Sequence, residues 1–185
     1  MNDPALPTVI VLASGRGERF RASGGAGSKL AALLVGKTVL SHTLAAVQAS
    51  GLPWHVEDAG HPGMGDSIAA AVRHTANAAG WLILPGDLPL VQAATLQQVA
   101  TALRGRFHAA QPRYRGERGH PVGFSVECRD ALMALEGGSG AAPVLQSLRT
   151  AGQVADIEVD DVGVVTDIDT LDALAHAERL LVNRG

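Results

Sequence analysis

The stretch VLASGRGERFRASGGAGSKL, residues 11–30, leads from an apolar run into a loop rich in glycine and in positive charge. The run that enters it, TVIVLA at 8–13, is rich in β-branched residues, which predicts a strand buried on both faces. The loop carries four cationic side chains, those of Arg16, Arg19, Arg21 and Lys29. Flexible backbone amides and cations at the end of a buried strand are typical of anion binding.

The spacing of residues within this loop excludes two common phosphate-binding motifs. A dinucleotide-binding fingerprint needs a third glycine for close helix packing, and Phe20 stands at that position. A Walker loop needs the order G-K-[ST], whereas this chain has Ser28-Lys29. The pattern therefore predicts a different phosphate cradle, in which Gly15 and Gly17 bring the backbone close to the ligand. A solvated surface loop is the alternative interpretation.

Composition and charge exclude several classes of protein. The chain has 185 residues, 46 % of them apolar and 3 % aromatic, so we expect one folded domain, residues 1–185, with an aliphatic core. The net charge of −3 argues against general nucleic-acid binding. Cys128 is the single cysteine, which excludes an internal disulfide and a cysteine-rich zinc site. The N-terminus has neither a basic segment nor a long apolar run, so we expect a cytoplasmic protein that binds no membrane.

Strand patterns that alternate with helical periodicity predict the fold class. The runs at 54–58 and 81–84 predict two further strands, and HAAQPRY and HPVGFS predict two more, joined by the turn RGERG. Such alternation predicts an α/β protein, with a Rossmann-like, mostly parallel sheet and helices on both faces. Ligands of these sheets bind outside the carboxyl ends of the strands, where the opening loop and Asp87 would face one crevice.

Acidic residues lie at two of the predicted element boundaries. Asp87, in PGDLP, directly follows a buried strand; it could hold Mg²⁺ with substrate phosphates, or form an Asx turn or helix cap. Asp167 and Asp169, in TDIDT, precede the last helix, which Asp169 or Thr170 would cap. Taken alone, these residues leave both a metal site and a structural role open.

Three further features have simple structural explanations. Asp66 or Ser67 is the expected N-cap of the helix that follows HPGMGDS. His120, in GHPVGF, is a lone histidine beside a proline, which is usually structural. The segment GGSGAAP, residues 137–143, either links two helices or lets a bulky ligand lie against the backbone.

The order of these motifs resembles that of a known family. LASGRGERF with its following lysine, then GMGDS, PGDLP, GHP, GGSGAA and DIDT resemble the MobA-like nucleotidyltransferases, most closely the molybdenum cofactor cytidylyltransferase branch. The resemblance implies a nucleotide-diphospho-sugar-transferase-like fold. It also implies a Mg²⁺-dependent enzyme that moves an NMP group, most readily CMP from CTP, onto molybdopterin and releases pyrophosphate. A molybdenum hydroxylase that receives the cofactor is an implied partner.

The resemblance also assigns site residues, position by position. The implied nucleotide-binding set is Leu12, Ala13, Ser14, Gly15, Arg16, Gly17, Arg19, Lys29, Gly65, Ser67 and Asp87. The implied catalytic residues, which would bind triphosphate oxygens and Mg²⁺, are Arg19, Lys29 and Asp87. The implied metal-binding set is Asp87, Asp167 and Asp169. The acceptor would lie against Gly119, His120, Pro121, Gly138, Ser139 and Gly140.

The chain departs from the family pattern in several places. Ser14 replaces an alanine close to where the base is read, and GGSGAA lacks the arginine of G-A-R, which would contact a pterin phosphate. Arg21 replaces the glycine after R-F and begins the insert RASGGAGS, residues 21–28, which we expect to be mobile without ligand and to order over the phosphates. Only GLPWHVEDAGHP, residues 51–62, precedes GMGDS, so we expect an edge strand-helix unit to be missing.

These departures keep other functions open. Ser14 and the missing unit leave open a transferase that uses GTP or another NTP, on the cofactor or on a small sugar or polyol phosphate. A catalytically weak carrier that hands molybdopterin to a partner oxidoreductase is the alternative from another class.

Overall fold

The computed structural model describes residues 6–15 and 17–183 of the chain. Arg16 lies outside the described residues, so its predicted place in the phosphate loop stays a prediction.

Strands and helices alternate along the described chain. The strands are β1 (Thr8–Leu12), β2 (Leu33–Leu34), β3 (Lys37–Thr38), β4 (Trp54–Glu57), β5 (Gly80–Pro85), β6 (Ala109–Tyr114), β7 (Glu117–Arg118), β8 (Val122–Ser125) and β9 (Val154–Glu158). The helices are α1 (Glu18–Ala22), α2 (Val39–Ala49), α3 (Met64–His74), α4 (Ala93–Ala102), α5 (Arg129–Met133), α6 (Ala142–Thr150) and α7 (Leu171–Val182).

One seven-stranded sheet carries the fold, in the order β4-β1-β5-β8-β6-β7 with β9 beside β6. β1 runs parallel to β4 and β5, and β6 runs parallel to β9. β8 is antiparallel to both β5 and β6 and joins the two parallel parts. The predicted α/β fold with a mostly parallel sheet is confirmed, and the strands expected in HAAQPRY and HPVGFS pair with each other.

Alternate residues of β1 point into two different cores. Val9 and Val11 belong to a core that residues of α2 and α4 complete, whereas Ile10 belongs to a core with residues of α3 and α5. Side chains of α6 pack against the second core. The sheet is therefore covered on both faces, as the continuous apolar run of residues 8–13 predicts.

The edge of the sheet beside β1 is formed by β4. From Glu57 the chain passes through the loop 58–63 directly into α3. This arrangement agrees with the expectation that an edge strand-helix unit is missing. No helix in residues 6–15 and 17–183 is both long and apolar enough to cross a bilayer. The cytoplasmic location stays a prediction.

The start of α3 differs from the prediction that Asp66 or Ser67 caps it. The N-cap is Gly63, and α3 begins at Met64. Glycine is needed there because a Cβ atom on Gly63 would lie 2.3 Å from the carbonyl oxygen of Gly137. Asp66 instead accepts a hydrogen bond from the Gly137 backbone N–H at 3.0 Å and holds that loop against the helix.

Candidate active site

The carboxyl ends of β1 and β5 open into a crevice in which three cavities share Lys29. The α3 cavity, of about 280 Å³, is lined by Leu12, Ser14, Gly15, Lys29, Leu30, His61–Met64, Ser67 and Pro85–Asp87. The loop cavity, of about 360 Å³, is lined by Gly15, Gly17, Glu18, Arg19, Lys29 and Asp169. The His120 cavity, of about 410 Å³, is lined by Arg19, Lys29, Met64, Pro85, Asp87, Leu88, Glu117–His120, Val164, Val165, Asp167 and Asp169.

Lys29 stands where the three cavities meet. It opens a short 3-10 turn after the glycine-rich loop, and the Ser28 hydroxyl caps that turn by accepting from Leu30 N–H. Its Nζ lies 2.5 Å from Asp87 Oδ2 and 2.7 Å from Asp169 Oδ1. Burial by itself lowers the pKa of the Lys29 amine, but the two carboxylates outweigh burial and raise this pKa above its ordinary value. The amine is therefore a fixed cation at the centre of the crevice.

Arg19 brings a second cation to the same carboxylate. Its side chain is 78 % exposed, and one guanidinium nitrogen lies 2.5 Å from Asp169 Oδ2. Phe20, the next residue of α1, is buried and anchors this short helix to the core that includes Ile168. An exposed ion pair of this kind stabilises a fold little. The guanidinium is accordingly free to turn toward a ligand in the loop cavity.

The three predicted metal-binding carboxylates come together. Asp87, Asp167 and Asp169 each offer an oxygen, and these oxygens lie within 4.8 Å of one another. A hydrogen bond of 3.0 Å from Ile168 N–H to the Asp87 carbonyl joins the two segments that carry them. Thr170, rather than Asp169, caps α7 by accepting from Ala173 N–H, which leaves the Asp169 carboxylate in the crevice.

The two neighbouring aspartates differ in their affinity for a proton. Burial, together with the adjacent Asp169 carboxylate, raises the pKa of Asp167. Burial alone would raise the pKa of Asp169 too, but hydrogen bonds from Lys29 and Asp167 and the charges of Lys29 and Arg19 lower it. Of the two carboxylates, Asp167 therefore binds a proton more readily than Asp169.

The acidic cluster has the chemistry of a divalent-cation site. Asp87 is only 8 % exposed, and its Oδ1 has no hydrogen-bond partner among the described residues. A buried carboxylate oxygen is costly without a partner. Oxygen ligands from carboxylates, completed by phosphate and water, are what Mg²⁺ prefers. The residues present thus fit a divalent cation.

Some of the predicted nucleotide-binding residues line the cavities, and others lie beside a cavity and support its lining. Leu12, Ser14, Gly15 and Ser67 line the α3 cavity, and the hydroxyl oxygens of Ser14 and Ser67 lie 3.3 Å apart. Gly17 lines the loop cavity and is the N-cap of α1, with a φ of 61° that favours glycine.

Ala13 and Gly65 lie beside the α3 cavity rather than in its wall. Ala13 N–H donates to the Glu57 carbonyl at 2.9 Å, and Gly65 N–H donates to the Gly137 carbonyl at 2.7 Å. Both residues therefore position neighbouring segments through their backbone.

Two of the predicted acceptor-binding residues, Gly119 and His120, line the His120 cavity. A Cβ atom on Gly119 would lie 2.3 Å from the Val164 carbonyl oxygen, and His120 N–H donates to that carbonyl at 2.9 Å. The His120 ring is buried, its Nδ1 has no hydrogen-bond partner in the described part of the chain, and burial lowers its pKa despite the charge of Asp87. Burial therefore favours the neutral form of the His120 ring and leaves its buried Nδ1 without a partner among the described residues.

The other predicted acceptor-binding residues are outside the walls of the His120 cavity. Pro121 directly follows His120, and Gly138, Ser139 and Gly140 belong to the loop before α6. That loop contacts the lining of the crevice from outside: the position of a Cβ atom on Gly140 is 2.7 Å from Met64 Sδ, and Gly137 lies against Gly63. Met64 itself lines both the α3 and the His120 cavities.

Several wall residues were not among the predicted ones. Among them are His61, Pro62, Gly63 and Met64 in the α3 cavity and Glu117, Arg118, Val164 and Val165 in the His120 cavity. The position of His61 and Pro62 after a predicted strand, at the same edge of the sheet as Asp87, is a signal that could have indicated the first group. The second group comes from segments distant in sequence.

The insert at residues 21–28 packs outside the loop cavity. Ser23 Oγ accepts a hydrogen bond from Leu171 N–H at 3.0 Å, and Gly25 N–H donates to the Phe20 carbonyl. A Cβ atom on Gly25 would lie 2.3 Å from the Phe20 ring, so the glycine allows this close turn. None of the described residues 21–28 lines the loop cavity. Ordering of the insert over bound phosphates stays a prediction.

Residues 45–153 match the family model of the MobA-like NTP transferase domain. The fold, the cation-lined crevice and this match define a nucleotidyltransferase. The match spans more than half of the 185 residues, and the chain belongs to the MobA-like NTP transferase family. No functionally curated protein matches the sequence significantly.

Solved structures share this fold over nearly the whole chain. Rv0371c from Mycobacterium tuberculosis, in a complex with manganese, is 21 % identical, with a TM-score of 0.72 over 96 % of this chain and 100 % of that chain. A CMP:2-keto-3-deoxy-manno-octonic acid synthetase complexed with CTP is 14 % identical, with a TM-score of 0.68 over 97 % and 100 %. Molybdopterin-guanine dinucleotide biosynthesis protein A from Archaeoglobus fulgidus is 18 % identical, with a TM-score of 0.63 over 95 % and 99 %.

Proposed function

We propose that this protein transfers an NMP group, most readily CMP from CTP, to a terminal phosphate of a molybdopterin-type acceptor and releases pyrophosphate. The observation that carries the proposal is the contact of Lys29 with Asp87 and Asp169 at the junction of three cavities. Cations and metal-binding carboxylates are thereby concentrated where two anionic substrates have to meet.

The triphosphate would lie along the loop cavity, with the nucleoside in the α3 cavity. Backbone of Gly15 and Gly17 borders the loop cavity, and Arg19 and Lys29 border it with their charges. Charge-assisted hydrogen bonds from these two side chains would hold the phosphates and stabilise the departing pyrophosphate. Because Lys29 lines all three cavities, a small movement of its amine would exchange carboxylate oxygens for phosphate oxygens.

Asp87, with Asp167 and Asp169, would hold Mg²⁺, for which the unpartnered oxygen of Asp87 is the supporting observation. When bound, the ion supplies positive charge that offsets repulsion between the two substrates and polarises the α-phosphoryl group. Rv0371c has been crystallised in a complex with manganese, and Mn²⁺ is therefore a suitable probe for the three aspartates of this chain.

The acceptor would enter from the His120 cavity. An oxygen of its phosphate forms a bond to the α-phosphorus, while the bond from that phosphorus to the pyrophosphate oxygen breaks and the electron pair leaves with pyrophosphate. Since the attacking group is already an anion, no side chain has to act as nucleophile or remove a proton, and orientation becomes the task of the protein. The neutral His120 ring, whose Nδ1 is unpartnered within the described residues, would hydrogen-bond the acceptor.

Pyrophosphate release tests this function directly. The purified protein is incubated with molybdopterin, Mg²⁺ and each of CTP, GTP, ATP and UTP, and the expected result is release that is fastest with CTP. Fastest release with GTP would replace the cytidylyl transfer by guanylyl transfer, and release only with a sugar or polyol phosphate would replace the acceptor. No release with any NTP, alongside tight binding of molybdopterin, would contradict the transferase and favour a cofactor carrier.

A further inference from the structure

We propose that His61, held by Glu57, reads the nucleobase through its exocyclic amine and so selects CTP over UTP. This inference rests on the proposed function, because it takes the α3 cavity as the nucleoside site. It assigns a role to the short loop 58–63, which leads from the edge strand β4 straight into α3.

The position of Glu57 is the first step. It is the last residue of β4, is only 6 % exposed, and stands opposite Leu12 in the register of the sheet. Its Oε1 accepts from Ala59 N–H at 3.1 Å and lies 3.2 Å from His61 Nε2. A buried carboxylate is stable only when such donors surround it. The loop therefore folds back over Glu57 and carries His61 with it.

The contact with Glu57 favours one nitrogen of the His61 ring as the site of the hydrogen. Nε2 lies 3.2 Å from Glu57 Oε1, and an ionised carboxylate offers no hydrogen, so its negative charge favours the ring hydrogen on Nε2, the nitrogen that faces it. In the neutral imidazole the other nitrogen, Nδ1, is then an acceptor. No hydrogen-bond partner for Nδ1 is present within residues 6–15 and 17–183, and His61 lines the α3 cavity.

The topology of the sheet places Nδ1 of His61 at the end of the α3 cavity where the nucleobase would lie. Asp87 follows β5 and Glu57 ends β4, with β1 between them. Neighbouring strands are about 4.8 Å apart, so these two points are separated by roughly 10 Å across the crevice. With phosphates at Lys29 and Asp87, the nucleoside would extend toward His61 and Pro62. An acceptor there favours a base that presents an amine, as cytosine does at N4, over uracil, which presents a carbonyl oxygen.

The cost of a mismatch sets the expected size of the effect. A carbonyl of UTP opposite an acceptor nitrogen leaves both groups without a hydrogen bond, and such a loss corresponds to a factor of about 10 to 100 in binding. CTP and UTP are otherwise nearly the same size, so their ratio isolates this contact from packing.

The test measures kcat/KM for CTP and for UTP in the wild type and in His61→Ala. The expected result is a wild-type preference for CTP that falls by about tenfold or more in the variant, chiefly through CTP. His61→Gln, which keeps an acceptor oxygen, should retain part of the preference. His55→Gln is the matched control, because His55 also lies beside Glu57, at 3.6 Å, but is outside the wall of the α3 cavity. An unchanged ratio in His61→Ala, or a wild type that prefers UTP, would overturn the proposal.

Glu57→Gln tests the positioning role separately. The amide nitrogen of glutamine can donate a hydrogen bond to Nε2 of His61. The ring hydrogen would then lie on Nδ1, and Nδ1 would donate to the nucleobase instead of accepting from it. The preference should then shift toward UTP, a change that loss of structure alone would not produce. If the wild type turns over no NTP at all, the transferase function fails, and equilibrium dissociation constants for CTP and UTP with the same variants still decide the role of His61.

Discussion

The amine of Lys29 lies 2.5 Å from Asp87 Oδ2 and 2.7 Å from Asp169 Oδ1, between two of the three carboxylates that could hold a cation. Only 13 % of the Lys29 side chain is exposed, so water screens these contacts weakly. In this arrangement the lysine and a bound divalent cation would compete for the same oxygens. Binding of a triphosphate, which attracts the amine, would free the carboxylates for the ion.

This competition predicts the behaviour of Lys29→Met. Removal of the internal cation should strengthen Mn²⁺ binding without nucleotide by about tenfold or more, because the carboxylates lose their nearest counter-charge. The same variant should bind CTP more weakly. Isothermal titration with Mn²⁺ and then with CTP measures both effects. Lys37→Met is the control, since Lys37 is exposed on β3, and weaker Mn²⁺ binding in Lys29→Met would contradict the competition.

Asp87→Asn should strongly reduce the rate of turnover. The substitution keeps the shape of the side chain but removes the charge that pairs with Lys29 and would hold the ion. Loss of one preorganised electrostatic contact typically lowers the rate by about 10²–10³-fold. Pyrophosphate release measures the effect, with Asp172→Asn as the control because Asp172 is exposed on α7. Near-normal turnover of Asp87→Asn would remove this residue from the metal role.

Gly65→Ala should destabilise the fold, whereas Gly138→Ala should not. A Cβ atom on Gly65 would lie 2.7 Å from the Glu136 carbonyl oxygen, a backbone atom that cannot move without shifting the loop. Crowding of this kind costs about 1–3 kcal/mol of unfolding free energy. A Cβ atom on Gly138 meets nothing within 4 Å among the described atoms. Urea unfolding of both variants checks the pair, and equal stabilities would show that the loop yields freely.

The Cys128 thiol should react slowly with thiol-labelling reagents in the folded protein. Burial raises the pKa of its thiol, and Sγ donates to the His108 carbonyl at 3.4 Å. A raised pKa means less thiolate, the reactive form, at any pH below it. Labelling by a disulfide reagent at neutral to mildly alkaline pH should therefore be at least about tenfold slower in the native protein than in urea. Equal labelling rates would show that this part of the core opens readily.

The local pattern of the chain was sufficient for the fold class and the position of the crevice. The continuous apolar run of β1 and the alternation of strands with helices predict a sheet covered on both faces, because a strand without a polar face must be buried twice. The glycine-rich loop and Asp87 both follow such strands, and carboxyl ends of parallel strands meet at one edge. For these reasons their proximity could be predicted without coordinates.

Only the tertiary structure decided which residues stand opposite one another in that crevice. Asp169 could have capped α7, but Thr170 caps this helix. The Asp169 carboxylate is therefore free of the helix end and contacts Lys29. No sequence motif indicated a contact between Glu57 and His61. The two residues meet because the loop after the edge strand folds back over the end of that strand. Contacts between residues far apart in sequence depend on packing of whole elements, whereas a sequence pattern records only the preference of each element. The strands and loops were thus determined locally, and the site by the way they pack.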